Sequence, residues 1–260
     1  MIYLNTHFMK TIKIILLGYF CLAGFSALSA DSTDRKRKEP DPSFFSTGTF
    51  ERYVANDFDQ ETEPLLIQGK NPKRLSKKLR KTPFRVNFGE DEFTGREFQE
   101  LAPLSSTLFG LDLSDQHISL EHLKDLPTFT QLRFLNLAGN GLKDEQMPPI
   151  LLIGNLEHLI LTYNKITTSG LASLLILKNL RFLDVSSIFW DNQKFITIIP
   201  LFTQLRGLKA SCCNLDDVCL SSFKLLENLE AIDISGNRFS EKPLQEFLRY
   251  ANSRNIKVKY

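Results

Sequence analysis

At 260 residues, with 42% hydrophobic and 24% charged side chains, the chain has the composition of a folded protein and is too apolar to be disordered throughout. A formal net charge of +2 excludes a surface built wholly for nucleic acid, and four cysteines are too few for a disulfide scaffold. Twenty-one phenylalanines beside one tryptophan and three methionines are unusual.

The first element is a basic start, Lys10 and Lys13, followed by an apolar run from Ile14 to Phe25 and the small-residue ending Ser26-Ala27-Leu28-Ser29-Ala30. These are the parts of a secretory signal peptide, so residues 1–30 are expected to direct export, with cleavage after Ser29 or Ala30. The mature protein is then expected to be secreted, periplasmic or extracellular. The alternative is an uncleaved N-terminal membrane anchor, for which the apolar run is short.

Residues 31–82 read as a charged, partly disordered linker. Arg35-Lys36-Arg37-Lys38 and a second basic cluster flank an acidic stretch with Glu51, Asp57, Asp59, Glu61 and Glu63. Asp31 to Arg85 carries a net +4, which leaves −4 for Val86 to Tyr260 once the two lysines of the signal are set aside. Lys73, Arg74, Lys77, Lys78, Arg80 and Lys81 suit weak contact with an anionic surface such as phospholipid. The competing reading is a solvated lead-in whose charges keep it soluble. Nucleic acid is not favoured as a partner.

From Leu108 the chain repeats. LFGLDLSDQHI at Leu108, LRFLNLAGNGL at Leu132 and LEHLILTYNKI at Leu156 are followed by LRFLDVSSIFW at Leu180, LRGLKASCCNL at Leu205 and LEAIDISGNRF at Leu229. The successive offsets are 24, 24, 24, 25 and 24 residues. Within each segment the apolar positions alternate with period two, which makes a short strand with one buried face. A single repeat cannot bury that face, so neighbours must stack. The return segments place apolar residues three and four apart and read as helices, with Asp144, Thr168, Asp216 and Ser240 at cap positions. The ninth-position Asn140, Asn164 and Asn237 are expected to turn inward onto backbone groups, with Cys213 in that place in the fifth repeat.

This pattern, L-x-x-L-x-L-x-x-N/C-x-L, resembles the leucine-rich-repeat family over roughly the last 175 residues. The resemblance implies an α/β solenoid: a curved parallel sheet on the concave side and helices on the convex side. Moving back 25 residues from Leu108 places a degenerate opening repeat at Pro83, with Val86, Phe88 and Phe93 apolar. Moving forward 24 from Leu229 puts Ile256 and Val258 in a last strand. The repeat domain is therefore expected over 83–260, with about eight strands.

Nothing in the sequence points to catalysis. There is no H-E-x-x-H, no Gly-rich phosphate loop and no G-x-S-x-G, and His117 and His122 lack a nucleophile at a useful spacing. Asp112, Asp184 and Asp233 recur at one strand position, as repeat geometry dictates. Cys212, Cys213 and Cys219 read as buried thiols rather than a disulfide or metal site. No enzyme activity, cofactor or metal is expected.

Concave-face residues are expected at the third, fifth and seventh positions of each repeat. The third column reads Arg85, Gly110, Phe134, His158, Phe182, Gly207, Ala231 and Asn255; the fifth reads Asn87, Asp112, Asn136, Ile160, Asp184, Lys209, Asp233 and Lys257. Neighbouring strands lie about 4.8 Å apart, so Phe134, His158 and Phe182 should form one aromatic ladder. Ile160 lies beside it, with Arg133, Arg181, Tyr163 and Asp184 at its edges. Solvent-facing aromatics framed by Arg and Asp have the composition of a protein-binding hot spot. Rings that merely cover each other, or are shielded by the N-terminal segment, would be the structural alternative. The fourth repeat departs from the pattern: Ile188 and Trp190 stand where Asn and Leu are expected, with Trp190 read as core and Phe189 as surface. The expected function is a monomeric, exported, non-catalytic protein that recognises a partner protein through Phe134, His158, Ile160, Phe182, Arg133, Arg181, Tyr163, Asp184 and Phe189. The rival function is a membrane- or polyanion-associated protein acting through its basic linker, with the repeats as scaffold.

Overall fold

The computed structural model describes residues 65–68, 84–87 and 95–260, and these fall in one compact unit. The signal at 1–30, the acidic stretch and the basic cluster Lys73 to Lys81 lie outside the described residues. Nine strands form one sheet: β1 Leu65–Gln68, β2 Phe84–Asn87, β3 Leu108–Asp112, β4 Phe134–Asn136, β5 His158–Ile160, β6 Phe182–Asp184, β7 Gly207–Lys209, β8 Ala231–Asp233 and β9 Lys257–Lys259. All neighbours are parallel and the spatial order is the chain order. Return segments carry α1 Arg96–Leu101, α2 Leu120–Leu123, α3 Met147–Leu151, α4 Thr168–Ser173, α5 Asn192–Ile198, α6 Asp217–Phe223 and α7 Glu241–Ser253. This is the α/β solenoid that the leucine spacing implies.

Two strands differ from the sequence reading. β1 falls inside the stretch read as linker, and it pairs in register with β2, Leu65 opposite Phe84 through Gln68 opposite Asn87. The last strand is displaced by two residues, since Ala231 pairs with Lys257 rather than Asn255. The cause is α7, which runs for 13 residues where α6 runs for 7.

The sheet residues alternate as the pleat requires. Leu111, Leu135, Leu159, Leu183, Leu208, Ile232 and Val258 point into one continuous core, with Leu113, Leu137, Leu161, Val185, Ala210 and Ile234 two residues on. Much of the phenylalanine surplus closes this core beneath the return helices. Ring centroids of Trp190 and Phe195 are 5.8 Å apart, those of Phe195 and Phe223 6.1 Å, and those of Phe223 and Phe247 6.1 Å. Trp190 and Ile188 are both buried, while Phe189 is 81% exposed.

Inward-turned amides connect one repeat to the next. The Asn140 side-chain oxygen accepts from the backbone N–H groups of Gln116 and Ile118, 3.0 Å each, while its amide nitrogen donates to the Leu113 carbonyl at 2.8 Å. Asn164 bonds Leu142, Leu137 and Leu161 in the same manner, and Asn237 bonds Cys213, Leu215, Ala210 and Ile234. Such buried amides are stable only when both ends are satisfied, as these are. Cys213 takes the amide's place with its thiol donating to the Val185 carbonyl at 3.2 Å.

The helix starts are also tied across repeats. Thr167, not Thr168, caps α4, accepting from Ser169 N–H at 3.1 Å. Asp144 lies at the start of a 3₁₀ turn, and its carboxylate accepts from the Thr167 N–H at 2.8 Å and hydroxyl at 2.6 Å. Asp217 similarly accepts from Ser240 N–H at 2.7 Å, whereas Asp216 caps its own α6.

Candidate functional site

On the face opposite the core, the register sets Phe134 beside His158 and His158 beside Phe182. The ring centroids are 6.3 Å apart for the first pair and 5.8 Å for the second, with interplanar angles of 39° and 30°. These are ordinary aromatic-pair separations. Ile160 and Ala231 join the two phenylalanines in a small apolar cluster distinct from the main core, with Ala138 packed against it.

The ladder does not face solvent, as its composition suggested. Phe134, His158, Ile160, Phe182 and Asp184 are all buried, and Phe182 and Ala231 have 0% exposure. Phe182 is followed across the sheet by Gly207 and then Ala231, whose small side chains leave the Phe182 ring as the largest group in this part of the column.

The fifth column carries charge that the sequence reading passed over. Lys209 is only 6% exposed, and its ammonium lies 5.8 Å from the Phe182 ring centroid and 4.0 Å from the Asp184 carboxylate. Asp233 meets Lys259 at 3.1 Å on the next pair of strands. A lysine between two aspartates, in a column whose other members are Asp, Asn, Ile and a terminal lysine, was the available signal. The recurrent acids have a structural use: Asp112, Asp184 and Asp233 each accept from the backbone N–H two residues on, at 3.0–3.1 Å, as Asn136 does. Each thereby turns the chain out of its strand.

The rim of the ladder is open. Arg133 is exposed, lies 5.7 Å from the Phe109 ring centroid and pairs with Glu157 at 3.0 Å. Arg181 is half-buried, and Tyr163 is 50% exposed. Tyr163 holds a left-handed backbone, φ 57°, at the position after the strand where the neighbouring repeats have Gly139 (φ 70°) and, further on, Gly236 (φ 68°). Asp115, Ser187 and Cys212 hold it too, at φ 55–58°. That conformation costs a residue with a Cβ roughly 1–2 kcal/mol. The structure therefore brings Phe134, His158, Ile160, Phe182 and Asp184 together beneath the surface. It leaves Arg133 accessible before its strand, and Tyr163 and Phe189 accessible after theirs.

Among the described residues no group of three or more His, Cys, Asp or Glu is placed to hold a metal ion. Burial pushes the Cys213 thiol up to about 12, far from an activated nucleophile. Among the described residues no helix is long and apolar enough to cross a membrane.

One strand and one return segment per repeat, joined by inward amides and leucines, define a repeat solenoid. Two family models described as the leucine-rich repeat match the chain, over residues 155–175 and 228–249. These matches mark leucine-rich repeats at two places in the chain, within the α/β solenoid described above. No curated protein matches it. Among solved structures it is similar to an internalin (inlF) from Listeria monocytogenes, with 18% identity over 73% of this chain and a TM-score of 0.47. It is also similar to internalin C2 from the same organism, with 22% identity over 67% of this chain and 70% of that one, and a TM-score of 0.48. The chain spans 57% of the first of these two.

Proposed function

We propose that this is an exported, non-catalytic binding protein that recognises a partner protein through the concave face and its open rim. The observation that carries the reading is Tyr163. The equivalent position is Gly139 in the preceding repeat and Ser187 in the following one, small residues both, yet here an exposed aromatic ring is held in the same left-handed backbone. Strained, exposed aromatics of this kind are drawn to binding surfaces, since their area and rigidity favour contact. Phe189, on the next repeat, adds a second exposed ring, and Arg133 adds a cation on the preceding one. Recognition then rests on a rigid scaffold presenting side chains, with no covalent step.

Affinity capture with the exported chain tests this. Tyr163→Ala with Phe189→Ala should abolish recovery of the partner while leaving the unfolding midpoint unchanged. Undiminished recovery with the double variant would remove the rim from the reading.

A further inference from the structure

The return segments carry an apolar row that lies open. Leu152, Ile176, Leu201 and Leu225 stand 24, 25 and 24 residues apart, one per repeat, and are 57–71% exposed. Leu151 and Leu175, beside the first two, are half-buried against the main core, so the row rests on a packed base. One helical turn earlier stand Pro148, Ala172, Thr197 and Ser221, none of them charged. Two residues after the row stand Gly154, Lys178, Thr203 and Glu227, all exposed. The strip is therefore neutral along one margin and carries one cation and one anion along the other. An exposed apolar strip that runs across four repeats marks a contact surface.

We propose that this row packs against the same row of a second copy of the chain, antiparallel, about a two-fold axis at Leu201. A two-fold contact must be self-complementary, and charge makes this one so. With the axis at Leu201, the Leu201 side chains of the two copies meet and Ile176 faces Leu225 of the second copy. The same operation sets Lys178 against Glu227 of the second copy, and it does so twice. Moving the axis to between Ile176 and Leu201 would set Glu227 against Gly154 and Lys178 against Thr203, so charge selects the first register.

Within one chain Lys178 and Glu227 stand two repeats apart, roughly 16–20 Å at helix-packing distances, and cannot pair. A lipid surface fits the strip less well, because a helix face that lies on a membrane is bordered by lysines and arginines. The contact involves few side chains and falls in the weak, transient class. A dilute chain is accordingly monomeric, with the row in water. This inference is separate from the partner reading, which concerns the opposite face and its rim.

Sedimentation velocity on the full chain from about 1 µM to about 1 mM tests it. The mass should rise from one chain to two within that range and go no further, because a two-fold contact closes on itself. Leu201→Lys sets two like charges on the axis and should weaken association at least about tenfold, with the dilute melting curve unchanged. Lys178→Glu alone, or Glu227→Lys alone, should weaken it about threefold to tenfold. The two together should restore the association of the unmodified chain, a recovery that contacts within one chain cannot produce. A chain that stays monomeric throughout overturns the proposal. So does association that Leu201→Lys leaves intact, or a charge swap that fails to recover. Binding to phosphatidylcholine vesicles without self-association overturns it in favour of a lipid surface.

Discussion

Two rows run along this molecule in step with its repeats and meet opposite fates. Phe134, Phe182 and Ala231 lie in alternate repeats on the outer face of the sheet, with His158 and Gly207 between them, and are buried. Leu152, Ile176, Leu201 and Leu225 lie one per repeat on the return segments and are 57–71% exposed. The period of a repeat fixes where each residue stands along the solenoid. It carries no information about whether anything lies on top. The difference between the rows is one of depth: the sheet-face residues are buried and the return-segment residues are exposed.

The largest test of that contrast is Phe182→Ala. If the ring is packed from above as well as from the sides, its loss leaves a cavity and should cost about 3–5 kcal/mol. Urea unfolding followed by circular dichroism reads the change. A cost as small as that of an exposed leucine would mean that the sheet face is open in solution and the two rows are alike.

The core beneath the sheet gives a reference independent of the outer face. Burial raises the Cys213 thiol from 9.0 to about 12. Above pH 9 the unfolded chain loses this proton first while the folded state keeps it. The stabilisation is therefore complete below pH 9 and is lost as the pH rises from 9 towards 12. The slope is about 1.4 kcal/mol per pH unit for this group. Cys213→Ala should remove that slope and leave the remaining alkaline dependence in place.

Much of the scaffold was legible in the sequence because its causes are local. A leucine at each pleat position and an amide nine residues into each repeat announce strand, core and inward turn, and Asn140, Asn164 and Asn237 bond as that pattern requires. β1 was not legible, since LLIQ is one short apolar run between charged stretches with no repeat signature around it. The two-residue slip at β9 followed from the length of α7, which spacing alone cannot fix because the helix ends only where its packing does. The ladder was placed correctly along the sheet but not in depth. Phe182 packs between His158 and Lys209 of the neighbouring strands, and the period of the repeat does not encode how deeply such side chains lie.

Tyr163 separates strain from packing. Tyr163→Gly removes the Cβ penalty of the left-handed backbone, partly offset by the extra freedom of glycine in the unfolded chain. The expected result is a net gain of up to about 1 kcal/mol in stability together with loss of partner capture. A destabilised variant would instead show that the ring packs onto the scaffold, which would place Tyr163 with the buried row.

The smallest effect should come from the exposed row. Leu152→Ala and Ile176→Ala together remove apolar surface that is already in water, so each should shift stability by less than about 0.5 kcal/mol. Thermal melts of the pair beside Phe182→Ala give the comparison in one experiment. Agreement with these values ties the stability of the solenoid to its two buried layers, the leucine core and the outer ladder. A larger loss from the leucine pair would require that the return segments, too, are buried, and the asymmetry between the faces would vanish.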